Sequence, residues 1–538
     1  MGSQTYDFIV VGAGSAGCAI AASLAKSAKR PNVLLLEAGG RNDDKSLRLS
    51  GKRCITFQEP NMNWGYKTTP QEHCNGRELL FHRGKGLGGS TAINYGLYTV
   101  GARDDYDQWA AEVGNDTFDW TNMLPRFKAL ETFSGEIARP EHQKYVAPQA
   151  ADHGDKGALR VGYVKEWEVD LSPILDAFKE AGLEQNLDHN SGNPLGLSVS
   201  ITSVSDGMRS TAADLLDDAS ENLVILPDSP VQRIILEGKK SRGRSDINSP
   251  DFASKEVIIS AGSLDSPKIL MHSGIGPAAE LTKFNIPVIH DLPAIGQGLK
   301  DHPFTPFLVA RNPETNDRNA FYGDPEAMAA GMKQWEKDGT GPWTRYGGQI
   351  ANGWFKSDRI TASEEFKALP DQMFQDYSYK GLAVFLMNQQ SIGEVRLKSS
   401  DPDVPLLFDP HFLEHPFDLR ACIEMYKHLL ELTDHPAFAK DTIATLMQPA
   451  SRSDEDILQF VKNNVSSTFH MTGTVKMGKE GDESAAVDTS FRVFGIENLR
   501  IADMSVVPVL TNNHTQATAY VTGATCADVL IRDYGLDQ

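Results

Sequence analysis

The chain has 538 residues, 40% apolar and 23% charged, a balance that suits a globular protein able to bury more than one sizeable core. Its 52 Lys and Arg against 72 Asp and Glu give a formal net charge of −20 with no basic cluster, so no nucleic-acid partner is expected. No apolar run approaches the roughly 20 residues of a membrane-spanning helix, and five cysteines (Cys18, Cys54, Cys74, Cys422, Cys526) are odd in number and not at metal-ligand spacing, which argues against a disulfide framework or a metal site.

Residues 6–11 enter structure at once, leaving no room for a signal peptide, and Tyr6 stands where myristoylation needs Ser or Thr; an intracellular, cytoplasmic protein is expected. Residues 7–11 read as a short strand buried on both faces. It ends at Gly12-Ala13-Gly14-Ser15-Ala16-Gly17. Residues 18–25, rich in Ala, Ile and Leu, then read as a helix, and residues 32–36 as a second strand closing on Glu37 and Ala38. Gly12 permits the tight turn, Gly14 lets a pyrophosphate approach the backbone, and Gly17 lets helix and strand pack closely. The helix amino terminus at Ser15 and Ala16 offers free N–H groups to phosphate. Glu37, about twenty residues beyond the last glycine, is placed to accept from both ribose hydroxyls. Strand, glycines, helix, strand and acid in this order predict a bound dinucleotide, without separating FAD from NAD.

Residues 42–80 read as irregular covering chain. In Arg83-Gly84-Lys85-Gly86-Leu87-Gly88-Gly89-Ser90-Thr91-Ala92-Ile93-Asn94, glycines without any acidic residue put backbone close to something flat or phosphorylated. Residues 238–254, with several Lys and Arg, read as an exposed hairpin tip or loop. Residues 256–260 read as a strand leading into Ala261-Gly262, with a helix opened near Pro267 and closed by Gly274. A fourth glycine-bearing stretch is Gly296-Gln297-Gly298-Leu299-Lys300-Asp301-His302, and residues 498–502 read as a last strand leading into Asp503. Strands so far apart, each ending in small or acidic residues, predict one open sheet with its ligand crevice at the carboxyl edge. Between about 303 and 455, Trp335, Trp343, Tyr346, Trp354, Phe355, Phe374, Tyr377, Tyr379 and Phe385 crowd strand-like stretches such as residues 393–397. This region reads as a mainly antiparallel insertion whose aromatics are mostly core.

The stretch Arg83 to Asn94, the stretch Gly262 to Pro277 and His470-Met471-Thr472-Gly473-Thr474-Val475-Lys476-Met477-Gly478 together resemble the glucose–methanol–choline (GMC) oxidoreductases, in that family's order and from Tyr6 to about Ile531. The resemblance implies an α/β chain with a Rossmann-like FAD-binding domain (residues 1–155, 200–302 and 456–538). Inserted in it is a mainly antiparallel substrate-binding domain capped by helices (residues 156–199 and 303–455). It implies oxidation of an alcohol to the aldehyde or carbonyl by hydride transfer to flavin N5, with oxygen or another acceptor taking the electrons. Gly12, Gly14, Ser15, Ala16 and Gly17 would then hold the pyrophosphate, and Glu37 with Ala38 the adenosine ribose. Arg83, Gly84, Gly88, Gly89, Ser90 and Asn94 would run beside the pyrophosphate and isoalloxazine. Val231 would reach the adenine through its backbone, and Asp503 would lie at the ribityl and phosphate end. Tyr95, Ala261, Gly262, His514 and Thr515 complete the residues expected to touch the cofactor. Ile93 stands where some members attach FAD through a histidine, which implies non-covalent FAD. Gly298 and Lys300 replace the usual Asn and Gln, leaving that loop's conformation open, and Ser391-Ile392-Gly393 lacks a frequent Arg.

His470 and His514 fall on the family's catalytic positions and place the chain beside His/His members such as glucose and aryl-alcohol oxidases. A hydroxyl proton must leave as hydride departs from carbon, and an imidazole titrating near neutral pH suits that task. His470 is expected to be the base and His514 to orient the alcohol. Phe469 and Tyr95 are candidates for lining the cavity, and the aromatic insertion leans toward an aromatic or apolar primary alcohol. A secondary-metabolite tailoring or cyclising enzyme and a non-redox flavoprotein like the hydroxynitrile lyases remain alternatives. A monomer or homodimer is expected.

Overall fold

The computed structural model describes residues 5–537 apart from 54, 138, 246–250, 316–317, 346–350, 356, 370–376 and 381–382. Five parallel strands, in the spatial order Leu223–Leu226, Val33–Leu36, Thr5–Val11, Asp251–Ile259 and Leu499–Ile501, form the heart of a seven-stranded sheet. Their register aligns Leu226, Leu36, Val11, Ile259 and Ile501 on one line. The segments opened by Gly12, Glu37, Ser260 and Ala502 therefore leave the sheet at one edge, where a ligand crevice forms in open α/β sheets. The helix Ser15–Lys26 packs against the last helix, Gln516–Tyr534. A Cβ on Gly523 would lie 2.4 Å from the Ala16 carbonyl oxygen, so only glycine permits this approach. Arg500, fully buried, donates to both carboxylate oxygens of Glu256 at 2.7 and 2.8 Å and to Asp533 at 2.9 Å, tying two strands to the end of that helix.

Two further strands, Lys240–Ser245 and Arg233–Glu237, extend the sheet antiparallel. The hairpin tip or loop expected at 238–254 is thus corrected in part: the turn after Glu237 is a hairpin tip, 240–245 and 251–254 are strand, and residues 246–250 lie outside the described residues. Basic side chains alternate with buried Ser241 and Gly243 along Lys240–Ser245, so a period of two was hidden by its polar face.

The second sheet has six strands, antiparallel throughout, in the order Ser466–Ser467, Pro303–Pro306, Ala383–Phe385, Tyr377–Lys380, Ala351–Phe355 and Gly196–Val199. Trp343 and Trp354 are core, as expected of that region's aromatics; Tyr346 and Phe374 lie outside the described residues. Cys18, Cys74, Cys422 and Cys526 are buried free thiols, and Cys54 lies outside the described residues. Among the described residues no helix is long and apolar enough to cross a membrane, and no His, Cys, Asp and Glu cluster could hold a metal ion.

A buried cluster stiffens the segment beneath the site. His153 bridges Glu131 (3.2 Å) and Asp188 (3.0 Å); Asp188 accepts from the Asn190 N–H (3.0 Å), and Asn190 bonds the backbone at Val100 (3.0 Å) and Tyr98 (3.1 Å). Burial opposes charge on His153, but hydrogen bonds and attraction to Asp188 and Glu131 prevail and raise its pKa to about 9. The folded state therefore holds this proton more tightly than the unfolded chain. That stabilisation is full below the unfolded value near 6.5 and is lost as pH rises through about 9. In urea unfolding at pH 6, His153→Gln should be less stable than the parent by about 3 kcal/mol, and the gap should shrink steadily up to pH 9.5. A gap independent of pH would contradict the charged clamp.

Candidate active site

A cavity of about 940 Å³, at the upper end of ligand-binding sizes, opens at the carboxyl edge of the parallel strands. Gly12 (φ +101°) makes the turn out of the first strand, and a Cβ there would lie 2.5 Å from the Ser260 carbonyl oxygen. Gly14 caps the helix Ser15–Lys26, and nothing lies within 4 Å of where its Cβ would be. Gly262 (φ +87°) is equally open. Gly14, Ser15, Ala16, Ala38, Arg83, Gly84, Gly89, Ser90, Tyr95, Val231, Ala261, Gly262 and Thr515 all line the cavity. Gly17 and Gly88 do not. A Cβ on Gly17 would collide with the Gly12 carbonyl oxygen at 1.9 Å, and Gly88 backs onto Thr211, so both shape the turns from behind. Bare backbone at Gly14 and Gly262, with the free N–H groups of a helix amino terminus, fits a pyrophosphate-bearing ligand.

Glu37 reaches the cavity with most of its hydrogen-bonding capacity already committed. Its carboxylate accepts backbone N–H bonds from Ala13, Gly39 and Gly86, each at 2.9 Å. These bonds take up most of its acceptor positions. Burial raises its pKa, opposed by backbone hydrogen bonds from Gly39, Ala13, Gly86 and Ala38. Asp503 likewise accepts from the N–H groups of Gly262 (2.8 Å) and Ser505 (2.7 Å) and from the Ser266 hydroxyl (2.5 Å). Asn94 accepts from the Gly96 N–H at 2.9 Å and donates to Gln516. Arg83 donates to the carbonyl oxygens of His82 (2.5 Å) and Phe469; burial lowers its pKa to about 10, opposed by Asp301 and Asp265.

The two catalytic candidates meet here. His470 follows the strand Ser466–Ser467, its N–H donating to Asp301 at 2.7 Å. The preceding Phe469 sits at φ +65°, a strained conformation for a bulky residue. It is held by an N–H bond to the Ser467 hydroxyl (2.8 Å) and by Arg83 on its carbonyl. His514 comes from the far end of the chain. Asp105 accepts from the backbone (2.7 Å) and side-chain (2.6 Å) N–H groups of Asn512, Asn513 donates to the carbonyls of Thr99 (2.9 Å) and Val100 (3.0 Å), and the His514 N–H donates to the Thr99 hydroxyl (2.7 Å). His470 Nε2 and His514 Nδ1 share a hydrogen bond of 3.1 Å. His470 Nδ1 pairs with His302 Nδ1 at 2.9 Å. Among the described residues His514 Nε2 has no hydrogen-bond partner, and His514 lines the cavity.

Asp301 and His302, in the fourth glycine-bearing stretch, carry no functional signal in the sequence. The replacements beside them are now explained. Gly298 (φ +85°) crosses Gly473 at backbone distance, and Lys300 pairs its backbone with Thr472 while its ammonium donates to the Pro508 carbonyl (3.2 Å). Two runs of ring contacts flank the imidazoles. Tyr95 meets Phe57 (6.0 Å), Phe57 meets His82 (5.1 Å), and His82 meets Phe469 (5.1 Å); beyond the histidines, His514 meets Phe385 (6.0 Å) and Phe385 meets Phe304 (5.4 Å). All of these line the cavity; Phe57, His82, Phe304 and Gln516 carried no signal in the sequence.

The family model described as GMC oxidoreductase matches residues 6–304 and 389–523. An alcohol dehydrogenase [acceptor] from Pseudomonas putida is 30% identical, over 98% of this chain and 96% of its own length. An oxygen-dependent choline dehydrogenase from Pseudomonas savastanoi pv. phaseolicola is 31% identical, over 97% and 93%. Among solved structures, a formate oxidase variant from Aspergillus oryzae superposes with a TM-score of 0.89 at 23% identity, covering 99% of both chains.

Glu37→Gln presents an amide N–H₂ toward backbone donors and removes a charge-assisted acceptor, a loss worth about 1.5–3 kcal/mol. Affinity for added FAD, followed by flavin fluorescence, should fall by about tenfold or more. Unchanged affinity would show that this carboxylate does not hold the glycine turns in place.

Proposed function

Since the chain belongs to the GMC oxidoreductase family, we propose that it oxidises a neutral aromatic or apolar primary alcohol to the aldehyde, using FAD held without a covalent link. When bound, FAD supplies the hydride acceptor, at flavin N5. The N–H groups at Gly14, Ser15 and Ala16 would hold its pyrophosphate, Glu37 a ribose hydroxyl, and Val231 the adenine side. Asn94, Tyr95 and Thr515 would approach the ring system. Ile93, buried in the cavity wall, supplies no nitrogen for covalent attachment.

The observation that carries this reading is the hydrogen-bonded His470–His514 pair set into the cavity wall among aromatic rings. The pair acts as one proton acceptor: His514 orients the alcohol and takes the hydroxyl proton at Nε2 while its own Nδ1 proton passes to His470, the buried base, so the imidazolium is shared between two rings. The acids lining the cavity are engaged elsewhere. Glu37 and Asp503 hold backbone N–H groups, Asp265 accepts from the Tyr66 hydroxyl (3.0 and 3.2 Å), and Asp403 from Gln232 (3.2 Å). A cationic alcohol such as choline thus lacks a counter-charge beside the histidines, whereas a benzylic alcohol matches their aromatic surroundings. Oxygen or another acceptor would then reoxidise the enzyme.

The test is anaerobic mixing of the FAD-loaded protein with benzyl alcohol, 1-hexanol and choline, watching oxidised flavin absorbance. Benzyl alcohol should bleach it fastest and choline slowest, and His470→Ala should slow bleaching by about 10²–10⁴-fold. Bleaching by choline ahead of benzyl alcohol would overturn the substrate class; no bleaching by any alcohol would point to a lyase-like use of the flavin. Hydrogen peroxide release in air, compared with reduction of an artificial dye, separates oxidase from dehydrogenase.

A further inference from the structure

His302 lies inside the protein, fully buried, between the second sheet and the His470 loop. It reaches this place by register: Pro303 pairs with Ser467, the Thr468 N–H donates to the His302 carbonyl at 3.0 Å, and the two chains run on past each other until Lys300 pairs with Thr472. The carboxylate next to it is occupied, since Asp301 accepts from the His470 backbone N–H and the Ser467 hydroxyl. The acceptor or donor that faces the His470 ring on its inner side is therefore His302 Nδ1, at 2.9 Å with the ring planes at 90°.

Three imidazoles in a row admit two concerted proton arrangements, because each N···N contact holds one hydrogen. In the first, His302 carries its proton on Nε2. Its bare Nδ1 accepts from His470 Nδ1–H, His470 Nε2 accepts from His514 Nδ1–H, and His514 Nε2 keeps a lone pair. In the second, every proton is shifted: His302 Nδ1–H donates outward, and His514 ends in an N–H. Only the first leaves a nitrogen able to accept a hydroxyl proton. Among the described residues no partner meets hydrogen-bond geometry at His302 Nε2, but the ring feels a backbone acceptor at Met387, which favours a proton on that side.

We propose that His302 is a positioning residue that fixes His470 as the Nδ1–H tautomer, so that the His470–His514 pair presents a lone pair, not an N–H, to the cavity. His302 does for His470 what a buried carboxylate does for a catalytic histidine elsewhere, with a neutral ring in place of a charge. Burial lowers its pKa to about 3, so a proton taken up by the pair stays on the pair and does not pass inward. The consequence for alcohol oxidation rests on the function proposed above; the tautomer assignment does not.

The experiment uses FAD-loaded protein labelled with ¹⁵N-histidine. Without any alcohol, imidazole nitrogen shifts assigned through single variants should show His470 with a protonated Nδ1 and His302 with a bare Nδ1. His302→Leu removes the acceptor and should scramble the His470 tautomer; His302→Gln, whose amide oxygen can accept, should keep it. In flavin bleaching by benzyl alcohol, His302→Leu should cut the limiting rate at least tenfold with little change in half-saturating concentration, and His302→Gln should recover most of that loss. A protonated Nδ1 on His302 in the parent protein, or an unchanged His470 tautomer in a His302→Leu protein that retains its FAD, would overturn the proposal. If no alcohol bleaches the flavin, the nitrogen shifts still decide the tautomer while the proposed function fails.

Discussion

Loops that cross at the carboxyl edge of a parallel sheet bring backbone N–H groups into a dry interior with no strand to pair them. This structure meets that constraint with buried carboxylates. Glu37 takes the N–H groups of Ala13, Gly39 and Gly86; Asp503 those of Gly262 and Ser505; Asp301 that of His470; Asp105 that of Asn512. Burial pushes each toward the protonated form, Asp105 and Asp301 to about 7, while the N–H bonds pull back. A desolvated carboxylate is tolerated only where such charge-assisted bonds offset its lost hydration. These four acids therefore act as fixed anchors, and the glycine turns and the histidine loops are rigid because of them.

The imidazole pair depends on the same anchors but needs both sheets. His302 precedes Pro303–Pro306 and His470 follows Ser466–Ser467, two paired strands of the antiparallel sheet. His514 lies two residues before the last helix, which packs on the helix that follows the first glycine turn. A shift of one residue in the Pro303–Ser467 register would reverse which side chains face the cavity. The strained Phe469 marks how tightly this junction is determined, because only neighbours that bond both its N–H and its carbonyl could hold a bulky residue at φ +65°.

What the sequence disclosed follows from the range of the interactions. Strand, glycines, helix and Glu37 are local, so their reading survives nearly unchanged, and the antiparallel character of the inserted region shows in its alternation. The partners of Glu37 lie as far away as Gly86, and the inner partner of the His470 ring lies 168 residues back. No spacing rule connects such residues until strand pairing is known. Gly17 and Gly88 sit in the right motifs but lie behind the cavity wall: Gly17 packs on the Gly12 carbonyl, the close helix–strand approach its position implies, and Gly88, at φ +93°, faces the Thr211 side chain. Lys240–Ser245 was obscured by composition, since long basic side chains on one face outweigh Ser241 and Gly243 on the other.

The aromatic residues of 303–455 sharpen that lesson. Their abundance suggested an aromatic substrate, but Trp343 turns its indole N–H to the Met328 carbonyl (3.0 Å), away from the cavity wall. Trp354, nearly inaccessible, donates to the Asn512 carbonyl at 3.2 Å and stacks on His189 (5.5 Å). Asn512 is thus gripped by Trp354 on its carbonyl and by Asp105 on both N–H groups, two residues before His514. From this region Phe304 and Phe385 line the cavity, and Phe385 meets the His514 ring. The insertion therefore bears on the chemistry in two physically distinct ways: a tryptophan that fixes the backbone carrying one histidine, and two phenylalanines that set the polarity of the space this histidine faces.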